Sequence, residues 1–296
     1  MQSGSNAVGA KQWVMGARPR TLGAAFAPVV VGTAVAHAVA GDAAWERALL
    51  ALVVSLALQV GVNFANDYSD GVRGTDKDRA GPLRLTASGL ASPNAVRTAA
   101  LLAFAVAAVA GLALALIVTL WLVLVGAVAI AAAALYTGGP KPLGYLGFGE
   151  VMVLVFFGFV ATAGSTFVQL ERVPEPAWWA SLTVGLLACA ILLTNNIRDV
   201  EGDASVGKRT LAVRLGAPRA RQLYVGCVVV ALLAVAPIAA DRPEALVAYA
   251  ALPLAVTPIR LVLQAVSPRE LVMALVGTAR LQLVTALLLG LGLWLS

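Results

Sequence analysis

Nine stretches of roughly twenty apolar residues, joined by mostly short polar connections, leave this chain few folds to choose from. Their approximate bounds are 22–41, 47–66, 95–117, 119–136, 148–170, 178–196, 222–240, 244–264 and 272–295. A segment of this length and character spans a bilayer as a helix, because backbone groups left unpaired cannot face lipid. Strands of a membrane barrel would be shorter and would alternate strictly, and these stretches do not. Only 12% of the 296 residues are charged, too few to cover a soluble surface. The expected fold is an all-α integral membrane bundle of nine transmembrane helices in one domain, 1–296, behind a polar tail at 1–16.

The basic residues orient the bundle. With the N-terminus in the cytoplasm, 17 of the 21 Lys and Arg fall on cytoplasmic segments. Arg47, Arg172 and Arg242 fall outside, and Arg280 lies within the last span. This asymmetry follows the positive-inside rule. It accounts for the net charge of +6 without a nucleic-acid partner. The expected location is the cell membrane, multi-pass, with the C-terminus outside. The outer connections are short, whereas two cytoplasmic connections are long, 67–94 and 197–221. Long loops of this kind usually carry function.

Seven of the fifteen acids lie in those two loops: Asp67, Asp70, Asp76, Asp78, Asp199, Glu201 and Asp203. If the second span stays helical to its end, Gln59, Asn63 and Asp67 share a face at four-residue spacing, which Asn66 and Asp70 broaden. Asn195, Asp199 and Asp203 repeat the spacing at the end of the sixth span, beside Asn196. The shared Asn-x-x-x-Asp form, four helices apart, raises a repeat of four plus four helices with a ninth added. Solvated surface acids are the plain reading of any one of these residues. The set fits it poorly, because stacked carboxylates repel unless a cation lies between them.

Hard oxygen donors grouped in this way suit Mg²⁺, which joins a few carboxylates to phosphate oxygens. Arg73, Lys77, Arg79 and Arg84 flank the first cluster, and Arg198, Lys208 and Arg209 the second. Cations beside such acids fit a metal-bound diphosphate. The chemistry implied is departure of pyrophosphate, leaving an allylic cation for an electron-rich aromatic nucleophile in a site that excludes water. The single His, His37, falls on the outer side, so Ser-His-Asp and Cys-His catalysis are disfavoured. Cys189 and Cys227 fall in spans, which argues against a zinc site or a disulfide framework. A transporter is the main alternative of another class, although its acids would sit nearer the midplane. A membrane phosphatidyltransferase would carry an Asp-Gly-x-x-Ala-Arg motif, absent here.

Asn63-x-x-Asn66-Asp67-x-x-Asp70 with Asp76, followed by Asn195-Asn196-x-Arg198-Asp199-x-x-x-Asp203, resembles the two signature motifs of the UbiA family of intramembrane prenyltransferases. Three further segments look like its MenA branch, which prenylates 1,4-dihydroxy-2-naphthoate for menaquinone. They are 17–22 (Ala-Arg-Pro-Arg-Thr-Leu), 76–84 and 136–145. The resemblance runs from about residue 13 to about 216. It implies a nine-helix bundle around a central cavity, Mg²⁺ as cofactor (two ions bridging the diphosphate), a polyprenyl diphosphate and an aromatic acceptor. It also implies replacement of the acceptor's carboxyl by the prenyl group, with loss of CO₂.

Carried onto this chain, Asn63, Asp67 and Asp70 would hold one ion and Asn195, Asp199 and Asp203 the other, the four Asp being catalytic. Arg18, Arg20, Lys77, Arg79, Arg84, Arg198, Lys208 and Arg209 would grip phosphate. Asp76 follows Asp70 by six residues where the wider family has four, which weakens its claim as a ligand. Gln59, Asn66, Tyr136, Tyr145, Asn196 and Arg280 are candidate acceptor-side residues. Tyr136 and Tyr145 also suit a membrane interface, and Arg280 could equally snorkel or pair with Glu150. Prenyl length and oligomeric state stay open.

Overall fold

The computed structural model describes residues 9–73, 83–138 and 142–296. Asp76, Lys77, Asp78 and Arg79 lie outside the described residues. Helices run in the order α1 (Ala10–Gly16), α2 (Pro19–Ala40), α3 (Trp45–Arg73), α4 (Pro93–Ile117), α5 (Leu122–Thr137), α6 (Gly149–Leu170) and α7 (Glu175–Arg198). They continue with α8 (Val200–Ser205), α9 (Leu211–Leu215), α10 (Ala217–Asp241), α11 (Pro243–Gln264) and α12 (Pro268–Leu295). Among the described residues, eight helices are long and apolar enough to cross a membrane. The remaining expected span is α5, an apolar helix of 16 residues, about 24 Å long.

The bundle alternates up and down. Ser55 Oγ donates to the Ala25 carbonyl (2.7 Å), tying α3 to α2. At one end Arg47 donates to the Val168 carbonyl (3.0 Å) and Arg242 to the Ala38 carbonyl (3.2 Å). The other end carries both Asn/Asp motifs and is called the motif end below. α4 turns Leu102, Val109 and Leu116 outward, seven residues apart on one stripe. Such a stripe faces lipid in a membrane bundle. The core lies between α7, α10, α11 and α12, and between α2, α7 and α12.

Small residues set the closest crossings, as they do where lipid supplies no hydrophobic drive between helices. A Cβ at Gly185 of α7 would stand 2.7 Å from the Gly158 Cα of α6. A Cβ at Gly32 of α2 would collide with the Thr162 carbonyl of α6. Both crossings fall within a π-helical segment of α6, Leu154–Ala163. That wider winding is uncommon and concentrates at functional sites.

Three local features depart from expectation. α3 does not stop near residue 66 but winds on to Arg73, so Asp67 and Asp70 stand on a helix rather than in a loop. No proline interrupts residues 45–73, and the winding pairs the backbone of the polar turns. The connection at 197–221 is mostly short helices, α8 and α9. Backbone bonds Asp199 N to Asn195 O (3.2 Å) and Asp203 N to Asp199 O (2.8 Å) keep the motif stacked through the bend at Asp199. The tail is helical from Ala10, and Trp13 packs edge-on against Phe64 (centroids 5.7 Å apart).

The α6–α7 crossing yields a paired prediction. Gly185→Ala pushes a methyl into backbone and should cost about 1–3 kcal/mol in detergent thermal unfolding. Gly226→Ala on α10, where a Cβ meets nothing within 4 Å, should be neutral or stabilising by up to ~1 kcal/mol.

Candidate active site

A cavity of about 1110 Å³ opens at the motif end and runs down among the helices. Its mouth is polar, with Arg18, Arg20, Gln59, Asn63, Asn66, Asp70, Arg84, Tyr136, Tyr145, Asn195, Asn196 and Lys208 on the wall. Deeper walls are apolar and come from α4, α5, the π segment of α6 (Phe156, Phe157 and Val160) and α12. A charged head at the mouth and a hydrocarbon tail below would each meet a matching surface.

The first motif does two jobs. Asn63 is buried, and its amide donates to the Ala17 carbonyl (2.8 Å) and to Thr21 Oγ1 (2.9 Å). Its oxygen accepts from Gln59 (3.2 Å), whose amide also reaches Thr21 Oγ1 (3.3 Å). This network fixes the turn from α1 into α2, where Arg18 adopts a left-handed backbone (φ 55°) just before Pro19. That conformation is costly for a residue with a Cβ and needs surroundings that enforce it. It sets Arg18 and Arg20 on the cavity wall.

Asp67 faces elsewhere. It is 1% exposed, is absent from the cavity wall, and accepts the Leu85 N–H (2.7 Å) and the Thr86 N–H (3.0 Å). Gly71, one turn on, leaves room for Thr86 to lie against α3. The expected ligand Asp67 therefore anchors the turn after residue 83. That turn delivers Arg84, whose Nη1 lies 3.7 Å from Asp70 Oδ2.

Asp70 and Asn66 face the cavity together with Asn63, whose amide is held by Ala17 and Thr21. Tyr145 donates to Asp70 Oδ1 (3.2 Å). Arg73 and Lys208 flank the same ring, at 5.3 and 5.5 Å from its centroid. Lys208 Nζ in turn pairs with Asp203 Oδ1 at 3.2 Å. A continuous chain, Asp70–Tyr145–Lys208–Asp203, thus joins the two motifs. The Arg209 N–H donates to the Tyr145 carbonyl (2.9 Å) and holds that loop in place. Tyr136 lies within electrostatic reach of Glu150, Asp203 and Asp70. Its ring folds over Gly144 and Gly149, where a Cβ would crowd it.

Two other expected phosphate contacts are off the cavity wall. Arg198 is nearly buried and binds both Asp199 oxygens (2.7 Å each) and the Asn195 oxygen (2.8 Å). Neither Arg198 nor Asp199 is on the cavity wall. Arg209 is exposed, and its side chain is absent from that wall. Asn196 donates to Glu150 Oε1 (2.9 Å), so the weighed Glu150–Arg280 pair is not formed. Thr21 was missed as a hub, because a lone Thr after two Arg carries no spacing signal. Arg73 was missed as a partner of Tyr145, because the two are far apart in sequence.

Among the described residues no three acidic, His or Cys side chains converge into a protein-only metal cage. The donors at the mouth fit Mg²⁺ all the same. That ion takes one or two carboxylates and completes its shell with substrate phosphates and water.

Removing Asp67 should cost more stability than removing Asp70. Asp67→Ala strands two backbone donors, one of them on fully buried Leu85, at roughly 1–3 kcal/mol each. Thermal unfolding of the two alanine variants in detergent checks this, and an equal or reversed order contradicts the anchor.

Residues 25–276 match the model of the UbiA prenyltransferase family. The chain is 50% identical over 279 residues to the 1,4-dihydroxy-2-naphthoate octaprenyltransferase of Mycobacterium tuberculosis, covering 93% of this chain and 94% of that protein. It is 35% identical over 300 residues to the Escherichia coli protein of the same name, covering 96% and 95%. In fold it resembles a UbiA homologue from Archaeoglobus fulgidus solved with GPP and Mg²⁺. The TM-score is 0.62 at 14% identity, over 96% of this chain and all of that one. The chain belongs to the UbiA prenyltransferase family.

Proposed function

We propose that this enzyme transfers a polyprenyl group from its diphosphate to 1,4-dihydroxy-2-naphthoate in menaquinone biosynthesis. The observation that carries the reading is the convergence of two Asn/Asp helix ends on the polar mouth of one apolar cavity. Relatives at 50% and 35% identity over nearly the whole chain bear that activity in their names.

In this reading Asn66 and Asp70 on one side, and Asn195 with Asp203 on the other, would hold two Mg²⁺ ions; Asp203 is off the cavity wall here and reaches it through Lys208. Bound Mg²⁺ supplies positive charge where negative charge gathers on the leaving pyrophosphate. Arg18, Arg20, Arg84 and Lys208 hold the phosphate oxygens from the cavity wall. Lys77 and Arg79 are proposed for the same task on sequence alone. Asp199 acts through Arg198, which it orients against Asn195. Asn63 acts through the turn carrying Arg18 and Arg20.

The apolar cavity takes the prenyl tail and keeps water from the allylic cation. The ring carbon bearing the carboxylate bonds to the first prenyl carbon as the carbon–oxygen bond to pyrophosphate breaks. Loss of CO₂ then returns its bonding electrons to the ring. The motif end is assigned to the cytoplasm, where the basic residues concentrate.

Purified enzyme with Mg²⁺, naphthoate and a polyprenyl diphosphate should release pyrophosphate, CO₂ and prenylated product in equal amounts. Asp70→Ala and Asp203→Ala should each lower kcat at least 100-fold (about 2.7 kcal/mol) with the helical spectrum intact. Chelating Mg²⁺ should stop turnover. Full activity in both variants, or turnover without divalent metal, contradicts the assignment.

A further inference from the structure

Arg280 is the charge that α12 brings to the cavity wall. It is the thirteenth residue of α12, deep within the span, and lines the wall among Leu275, Val276, Ala279 and Leu283. It is exposed to the open space and forms no hydrogen bond or ion pair among the described residues. A permanent cation in such a position is costly unless an anion or water meets it. The buried acid weighed as its partner, Glu150, is held by Asn196 instead and is not on this wall.

Its depth follows from helix register. Gln282 Nε2 donates to the Val184 carbonyl (3.2 Å), which fixes α12 beside the antiparallel α7. At 1.5 Å per residue, the Arg280 Cα lies about 13 Å below the level of Asn195. Side chains on a helix tilt toward its N-terminus, and the N-terminus of α12 is at the motif end. The guanidinium therefore leans back toward the mouth. A Cβ at Gly23 of the parallel α2 would lie 4.0 Å from Leu283, so Arg280 stands within about a turn of Arg20, where the polar mouth gives way to apolar wall. An acceptor ring set beside the first prenyl carbon would lie at this boundary.

We propose that Arg280 is an anion subsite for the carboxylate of the aromatic acceptor. The inference rests on the reading of the acceptor given above and goes beyond it by naming the group that recognises the acid. A planar guanidinium binds a carboxylate through two parallel hydrogen bonds, and the apolar side chains around it suit a flat ring. The same contact turns the carboxylate-bearing carbon toward the prenyl donor. It also selects against the same ring without its acid, because binding that ring leaves the cation unpaired.

The test uses the full-length enzyme and its Arg280→Gln and Arg280→Lys variants. Arg280→Gln should raise KM for 1,4-dihydroxy-2-naphthoate about tenfold or more while KM for the polyprenyl diphosphate stays put. Arg280→Lys should recover part of the loss. Inhibition by 1,4-dihydroxynaphthalene, which lacks the carboxylate, should be stronger in Arg280→Gln than in the wild type. A rise in KM for the diphosphate instead would make Arg280 a phosphate residue and overturn the proposal. Unchanged KM for both substrates would reduce it to a snorkelling side chain and overturn it equally. A wild-type enzyme that prenylates a different ring and ignores the naphthoate would remove the acceptor reading, and this subsite with it.

Discussion

The ring of Tyr145 is where the two halves of the site meet. Its hydroxyl holds Asp70 from α3, and Lys208, on its face, holds Asp203 beyond α7. Each motif alone is a row of like charges, which a bundle keeps together only with cations placed between them. The chain resolves this by alternating acid, phenol, ammonium and acid across the cavity mouth. Arg84 and Arg73 extend the alternation on the α3 side. The result is a net positive mouth in which each acid already has a cation beside it, Asp70 with Arg84 and Asp203 with Lys208.

Support for that mouth reaches well away from it. Asp67 fixes the turn that carries Arg84, and Asn63 with Thr21 fixes the strained turn that carries Arg18 and Arg20. The Gly158–Gly185 approach brings α6 and α7 close enough for the π segment to present Phe156 and Phe157 to the cavity. Charge is confined to the mouth and to Arg280, within about a turn of Arg20, and the walls from α4 and α5 carry only apolar side chains and Tyr136. Such a division suits a substrate with a diphosphate head, a partner ring bearing one acid, and a hydrocarbon tail.

Much of this was legible from residue order. Apolar length located most helix ends to within a few residues, the far end of α3 excepted, because lipid enforces that length. The Asn and Asp spacing located both motifs. The division of labour within the first motif was not legible, although helix geometry explains it. At about 100° per residue, Asn66, Asp70 and Asn63 cluster within about 60°. Asp67 stands about 40° beyond that arc, far enough to face the turn at residues 85 and 86 rather than the cavity. Which edge of a helix faces a loop depends on where the loop returns, and spacing along one helix does not encode that. The bonds of Tyr145 to Asp70 and of Asn196 to Glu150 escaped for the same reason, since they join residues 75 and 46 positions apart. The π segment left no mark in an unbroken apolar run.

The account turns on where metal and diphosphate bind. Anomalous scattering from Mn²⁺ in crystals grown with a non-reactive prenyl thiodiphosphate addresses this directly. The predicted result is metal at the cavity mouth, against Asp70 and Asn66 on one side and Asp203 and Asn195 on the other, with the tail running down between α4, α5 and the π segment of α6. Metal bound elsewhere, or a diphosphate seated away from both motifs, would contradict it.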